Sequence, residues 1–163
     1  MKKAVYAGSF DPLTLGHLSV LEKGTRLFDE VIVVVGKNTQ KKSFFAAEER
    51  KHLIEASLQS VDFSDRVRVE VHEGLLADFC RANKVQFLLR GIRAVSDYEH
   101  EMQSACMNRS LMKGLEAFLV IADDRYHFVS SSLVKEVASM GQDVTEYVPA
   151  VVAEALRKKL SAQ

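Results

Sequence analysis

Three features of this 163-residue sequence predict an α/β chain, with a doubly wound parallel five-stranded sheet in a single domain, 1–163. Short apolar runs without polar alternation recur between longer stretches of helical periodicity, the order expected when each strand is followed by a right-handed crossover helix. Gly, Asp, Asn and Pro punctuate the ends of several runs. A composition of 47% apolar and 27% charged residues supplies a core, and no segment is of low complexity.

Ala4 to Gly8 suits a strand covered on both faces, stopped by Gly8, Asp11 and Pro12. Beyond Thr14, residues Leu18, Leu21, Thr25 and Phe28 recur at helical spacing, so Gly16 and His17 fall in a first turn. Val31 to Val35 is a second buried strand, ended by Gly36-Lys37-Asn38, with Lys41-Lys42-Ser43 in the loop that follows. A helix from Ala46 to about Leu58 carries Arg50, Leu53, Ile54 and Ser57 on one side. Glu48 and Glu49 suit its first turn, but Ala46 is a poor cap.

Val67-Arg68-Val69-Glu70-Val71 alternates strictly and reads as a strand with one wet face. His72-Glu73-Gly74 turns the chain into a short helix from about Leu75 to Ala82, and Val85 to Leu89 is the fourth strand. Ser96 and Glu99 match an S-x-x-E capping box, opening a helix whose expected buried stripe is Tyr98, Met102, Ala105, Arg109 and Met112. Ala117 to Ile121 is the fifth strand and Asp123 to His127 a loop. Ser130-Ser131-Ser132 caps the next helix, and Pro149 begins the last.

Lys plus Arg equals Asp plus Glu at 22 each, so no global field favours nucleic acid or an anionic membrane, and an anion must be held locally. The sequence contains no 18-residue apolar span and no signal peptide, and a cytoplasmic protein is expected. Cys80 and Cys106 have no metal or C-x-x-C spacing and are expected to be buried reduced thiols.

The turn from Gly8 to His17 has the makings of a phosphate site. Unpaired N–H groups and the positive end of the dipole lie at a helix start, Gly16 lets an anion approach the backbone, and His17 and Ser9 add polar side chains. Ligands in such sheets bind beyond the carboxyl ends of the strands. Ser9 and His17 follow strand one, Lys41 strand two, Leu76 strand three, Arg90 and Arg93 strand four, and Tyr126 to Ser132 strand five. Singly, each has a plainer reading: His17 at the surface of a simple turn, Lys41 and Lys42 as solvated charge, Arg90 paired with a carboxylate, Ser130 to Ser132 as a cap. Their shared rim favours a common site.

The run Gly8-Ser9-Phe10-Asp11-Pro12-Leu13-Thr14-Leu15-Gly16-His17 resembles the T-x-G-H signature of the nucleotidyltransferases, and its first half narrows the likeness to the bacterial phosphopantetheine adenylyltransferase family. Lys41-Lys42, Phe45 with Glu48-Glu49-Arg50, Leu89 to Val95, Tyr98 to Gln103, Met107 to Arg109 and Phe128 to Glu136 extend it along nearly the whole chain. The resemblance implies a Rossmann-like nucleotidyltransferase fold. It implies that Ser9, Phe10, His17, Gly91, Ile92, Arg93, Glu101, Tyr126, His127, Phe128, Val129, Ser130, Ser131 and Ser132 form the ATP site. Ser9, Lys41, Leu76 and Arg90 then hold 4′-phosphopantetheine, with His17, Lys41, Arg90 and Ser9 as the catalytic set. A homohexamer inhibited by coenzyme A is implied too. Departures are mild: Ser9 stands for a commoner Thr, Leu15 where Asn is frequent, and Tyr126 for an often-seen Trp.

The implied chemistry needs no base. A phosphomonoester with a second pKa near 6 is largely dianionic at pH 7 and can attack the α-phosphorus of ATP directly. Catalysis is then alignment plus stabilisation of charge on the equatorial oxygens and the leaving pyrophosphate. Mg²⁺ is expected with ATP, held mainly by nucleotide and water, since no carboxylate cluster resembles a protein cage. The alternatives are another T-x-G-H transferase, acting on nicotinate mononucleotide or a cytidylyl group, and a silent nucleotide sensor. Lys135 in place of a common Arg, with the Arg90 to Val95 phrase, argues against the first, and the full set of phosphate ligands against the second.

Overall fold

The computed structural model describes residues 1–37 and 42–162. Five parallel strands, β1 (Lys3–Gly8), β2 (Glu30–Gly36), β3 (Val67–His72), β4 (Phe87–Ile92) and β5 (Glu116–Ile121), form one sheet in the order β3-β2-β1-β4-β5. The chain builds outward from β1 to β3 and then returns to the other side of β1. The order therefore reverses between β1 and β4, which opens a crevice at their carboxyl ends.

Strand alternation sends Ala4, Tyr6, Val31, Val33, Val35 and Leu89 to one face and Val5, Ile32, Val34 and Leu88 to the other. The first face is covered by α1 (Leu15–Leu27), α2 (Ala47–Leu58), α5 (Ser131–Ser139) and α6 (Ala150–Ser161). On the second, α3 (Leu76–Ala82) packs Phe79 and Cys80 into the core, and α4 (Val95–Leu111) lies beside it along β4 and β5. Burial on both faces explains why the sequence of β1 and β2 carries no polar alternation.

Thr14 caps α1, as the spacing of that helix requires, and Ser130 caps α5 by accepting the Leu133 N–H at 3.1 Å. Ala46 has no side-chain acceptor, but Glu49 Oε2 takes the Ala46 N–H at 2.6 Å and supplies half a capping box. Pro149 precedes the first turn of α6.

Several boundaries differ from the sequence reading. The fourth strand runs Phe87–Ile92 rather than Val85–Leu89, because Arg90, Gly91 and Ile92 find ladder partners in Leu119, Val120 and Ile121 of β5. Arg90 thus sits on the strand, not after it. The S-x-x-E box does not form at α4: Ala94 is the N-cap, Ser96 lies inside the helix, and Asp97 takes the Arg93 N–H at 3.0 Å instead. The expected stripe is inward only in part: Ala105 and Met112 are partly buried, but Arg109 is exposed and Tyr98 and Met102 are 46% and 47% exposed. The rest of the inner face is Asp97, Glu101, Ser104 and Asn108, polar residues that apolar periodicity could not locate. Cys106 on that helix is exposed, against expectation. Cys80 is buried, and burial pushes its thiol up to about 11.

Candidate functional site

The crevice between β1 and β4 holds a cleft of about 270 Å³. Its walls include Ser9, Phe10, His17, Arg90, Gly91, Arg93, Glu101, Val129, Ser130 and Ser131 from the residues singled out in the sequence. Residues from β1, α1, β4, α4 and α5 therefore meet at one place, although they are drawn from a stretch of chain that runs from Tyr6 to Ser131.

His17 is fixed from two sides. Its Nδ1 accepts the Thr14 N–H at 3.0 Å and lies 3.0 Å from Thr14 Oγ1, while its own N–H reaches that hydroxyl at 3.3 Å. The Phe10 ring packs edge-on against the imidazole with centroids 5.1 Å apart. Because Nδ1 is an acceptor, the neutral ring carries its proton on Nε2. Burial, with Arg93 adding to it, lowers the His17 pKa to about 4. At neutral pH the site therefore presents an uncharged N–H donor beside two arginines.

Those arginines are themselves held. Arg90 pairs through Nε and Nη2 with Glu101, at 2.5 and 2.8 Å, and gives Nη1 to the Ala7 carbonyl at 2.6 Å. Three of the five guanidinium N–H groups are thus engaged among the described residues, leaving two for an anion. Arg93 donates Nη1 to the Val129 carbonyl at 2.7 Å and Nε to Asp97 at 3.2 Å. That bond ties the end of β4 to the residue preceding the α5 cap, so the positive end of the α5 dipole faces the cleft with Ser130 and Ser131. Ser9 is exposed at the cleft edge, and its carbonyl accepts from Arg50 Nη1 at 2.5 Å. A neutral donor, two oriented guanidinium groups and a helix start can bind the phosphates of a nucleotide and stabilise charge that develops between them.

Not every singled-out residue reaches the cleft. Lys41 lies outside the described residues. Leu76 begins α3 and packs with the core of the opposite sheet face. Ile92 ends β4 beyond the cleft wall, and Ser132 is exposed in the first turn of α5. Tyr126 closes on α1, and a Cβ at Gly16 would meet its Cβ at 3.3 Å. The bare face of Gly16 therefore serves helix–loop packing. His127 turns its ring toward the Ala122 carbonyl at 3.3 Å, and Phe128 lies edge-on to Tyr147. At Gly91 a Cβ would meet Val20 Cγ2 at 2.7 Å, so that glycine lets α1 close on β4.

The cleft also includes Tyr6, Thr14, Val20 and Ala122, which sequence reasoning did not assign to it. Thr14 had a signal, three residues before His17 in capping-box spacing. Among the described residues no group of three or more His, Cys, Asp or Glu side chains is placed to hold a metal, and no helix is long and apolar enough to cross a membrane.

Residues 5–137 match the model of the cytidylyltransferase-like family. A phosphopantetheine adenylyltransferase of Thermotoga neapolitana is 48% identical over 157 residues, 96% of each chain. Among solved structures, the nicotinic acid mononucleotide adenylyltransferase of Plasmodium falciparum superposes with a TM-score of 0.72 at 16% identity, over 99% of this chain and 96% of that one. The bifunctional NMN adenylyltransferase/ADP ribose pyrophosphatase of Francisella tularensis gives 0.74 at 18% identity; the chain spans 50% of that protein's length and is covered over 99% of its own. At these identities the two structures speak for the fold alone.

Proposed function

Because the chain belongs to the cytidylyltransferase-like family, alongside the phosphopantetheine adenylyltransferases, we propose that it transfers the adenylyl group of ATP to 4′-phosphopantetheine, giving dephospho-coenzyme A and pyrophosphate. The observation that carries this reading is the likeness to that relative over 96% of both chains. Comparison of the cleft with the chemistry supports it. A 4′-phosphate oxygen attacks the α-phosphorus in line, the bond from that phosphorus to the bridging oxygen breaks, and pyrophosphate departs with the electron pair. No proton has to move and no covalent intermediate forms.

In this mechanism His17 Nε2–H meets an α-phosphate oxygen as charge grows there. Arg90 offers its two remaining N–H groups to the 4′-phosphate, with Lys41 as a second cation and Ser9 between the two substrates. Arg93 and the start of α5 serve the nucleotide phosphates. Glu101, although cleft-lining, acts on Arg90. Mg²⁺ would accompany ATP and help to neutralise its phosphates, held mainly by phosphate and water oxygens, since Glu101, the carboxylate that lines the cleft, is committed to Arg90.

The same reading takes the working form as a cytoplasmic homohexamer with coenzyme A as feedback inhibitor. Exposed Val95, Tyr98, Met102 and Met107 on α4, with Phe118 and Ile121 on β5, support self-association. The test of the activity is incubation with ATP, Mg²⁺ and 4′-phosphopantetheine, with dephospho-coenzyme A and pyrophosphate as the products sought. Equal turnover of nicotinate mononucleotide would overturn the substrate assignment.

A further inference from the structure

Asp11 is a carboxylate with 7% exposure that lies in the motif turn yet outside the walls of the cleft. Both of its oxygens accept hydrogen bonds. Oδ2 accepts the Phe44 N–H at 2.7 Å and Oδ1 the Phe45 N–H at 2.8 Å, and Lys135 Nζ approaches Oδ2 at 3.3 Å. One side chain therefore joins the turn after β1, the segment entering α2, and α5. Ser131 Oγ adds a second tie from α5, to the Pro12 carbonyl at 2.7 Å.

The residue before Asp11 shows what this junction does. Phe10 has φ 47°, a left-handed conformation that a bulky side chain keeps only where its surroundings over-determine it. Both flanks are tethered: the Ser9 carbonyl by Arg50, and Asp11 by its three donors. In that conformation the Phe10 ring stands edge-on to Tyr6 at 5.2 Å and to His17 at 5.1 Å. Thr14 fixes the His17 ring at Nδ1, and Phe10 packs on it from the β1 side.

We propose that Asp11 is a positioning residue: by binding the Phe44 and Phe45 amides and the Lys135 ammonium, its carboxylate holds Phe10 against the His17 ring and so aims the imidazole at the reacting phosphate. This role rests on the adenylyl-transfer reading for its kinetic consequence, but not for its effect on the ring. Asp11→Asn keeps the size of the side chain, loses the charge that pairs with Lys135, and turns an amide donor toward one of the two N–H groups.

The test measures three things on the full chain: kcat per folded molecule, ATP affinity by calorimetry, and the ring ¹⁵N signals of His17. Asp11→Asn should lower kcat about 10- to 100-fold with ATP affinity little changed, since small misplacements of a reacting group act on this scale. The His17 signals should shift in the absence of any substrate. A lower melting temperature accompanied by wild-type kcat per folded molecule and wild-type His17 signals would make Asp11 merely structural and overturn the proposal. Should Asp11→Asn fail to fold, Lys135→Met decides: a reduced kcat with shifted His17 signals upholds the role, and unchanged values of both overturn it. If the unaltered protein does not turn over phosphopantetheine, the functional reading fails, while the substrate-free His17 signals still judge the positioning role.

Discussion

Arg90 on β4 and Glu101 on α4 meet as a two-pronged ion pair, Nε to Oε2 at 2.5 Å and Nη2 to Oε1 at 2.8 Å. The pair fixes the plane of the guanidinium, and the Ala7 carbonyl fixes its third nitrogen. The two N–H groups of Arg90 that remain are thereby oriented in advance for the anion that the proposed reaction would bring there.

Arg90→Lys is not conservative in this setting. A lysine keeps the charge but cannot serve Glu101, Ala7 and a phosphate from one rigid plane. Steady-state kinetics at saturating ATP should show kcat/KM for phosphopantetheine falling by roughly tenfold to a hundredfold, or about 1.5–3 kcal/mol of lost transition-state binding. Full activity in Arg90→Lys would leave the pair a structural link between β4 and α4.

His17→Ala removes both the Nε2–H proposed to meet the α-phosphate and the acceptor for the Thr14 N–H. The first loss should reduce kcat by roughly 10²–10³ with little change in ATP affinity. The second is a helix-cap loss and should cost about 1 kcal/mol of stability by denaturant titration. A variant of wild-type kcat would take His17 out of the chemistry.

The His17 pKa of about 4 makes a prediction about acid stability. In the unfolded chain the ring titrates near 6.5, so between the two values the unfolded state binds more protons and stability falls as pH falls. The contribution is complete above about pH 6.5 and is lost progressively down to about pH 4, no more than about 3.5 kcal/mol in all. Ring ¹⁵N spectra should show a neutral Nε2–H tautomer persisting to about pH 5. An imidazolium already formed at pH 6 would contradict the assigned geometry.

Gly91→Ala would drive a methyl toward Val20 Cγ2, which a Cβ meets at 2.7 Å. Valine is stiff at χ1, so α1 must shift, and thermal unfolding should register about 1–3 kcal/mol of destabilisation. Val20→Ala in the same chain should restore part of that loss. An equal loss in the double variant would mean that Gly91 is needed for a reason other than room beside α1.

By itself the sequence determined the parallel doubly wound sheet, because β1 and β2 must be apolar on both faces and that demand is written in consecutive residues of Ala4 to Ala7 and Val31 to Val35. It also determined the start of α1 and the presence of His17 in its first turn, since caps and turns are local chemistry. The three-dimensional arrangement decided what depends on distant partners. Arg90, Gly91 and Ile92 became strand only because β5 offers a ladder to them, and the inner face of α4 is polar because Glu101 meets Arg90 there. Leu76 went to the far core rather than the cleft. Hydrogen-bond and packing partners such as Asp11 with Phe44, or Phe10 with His17, are set by how the chain closes on itself, and no spacing of residue types encodes that closure.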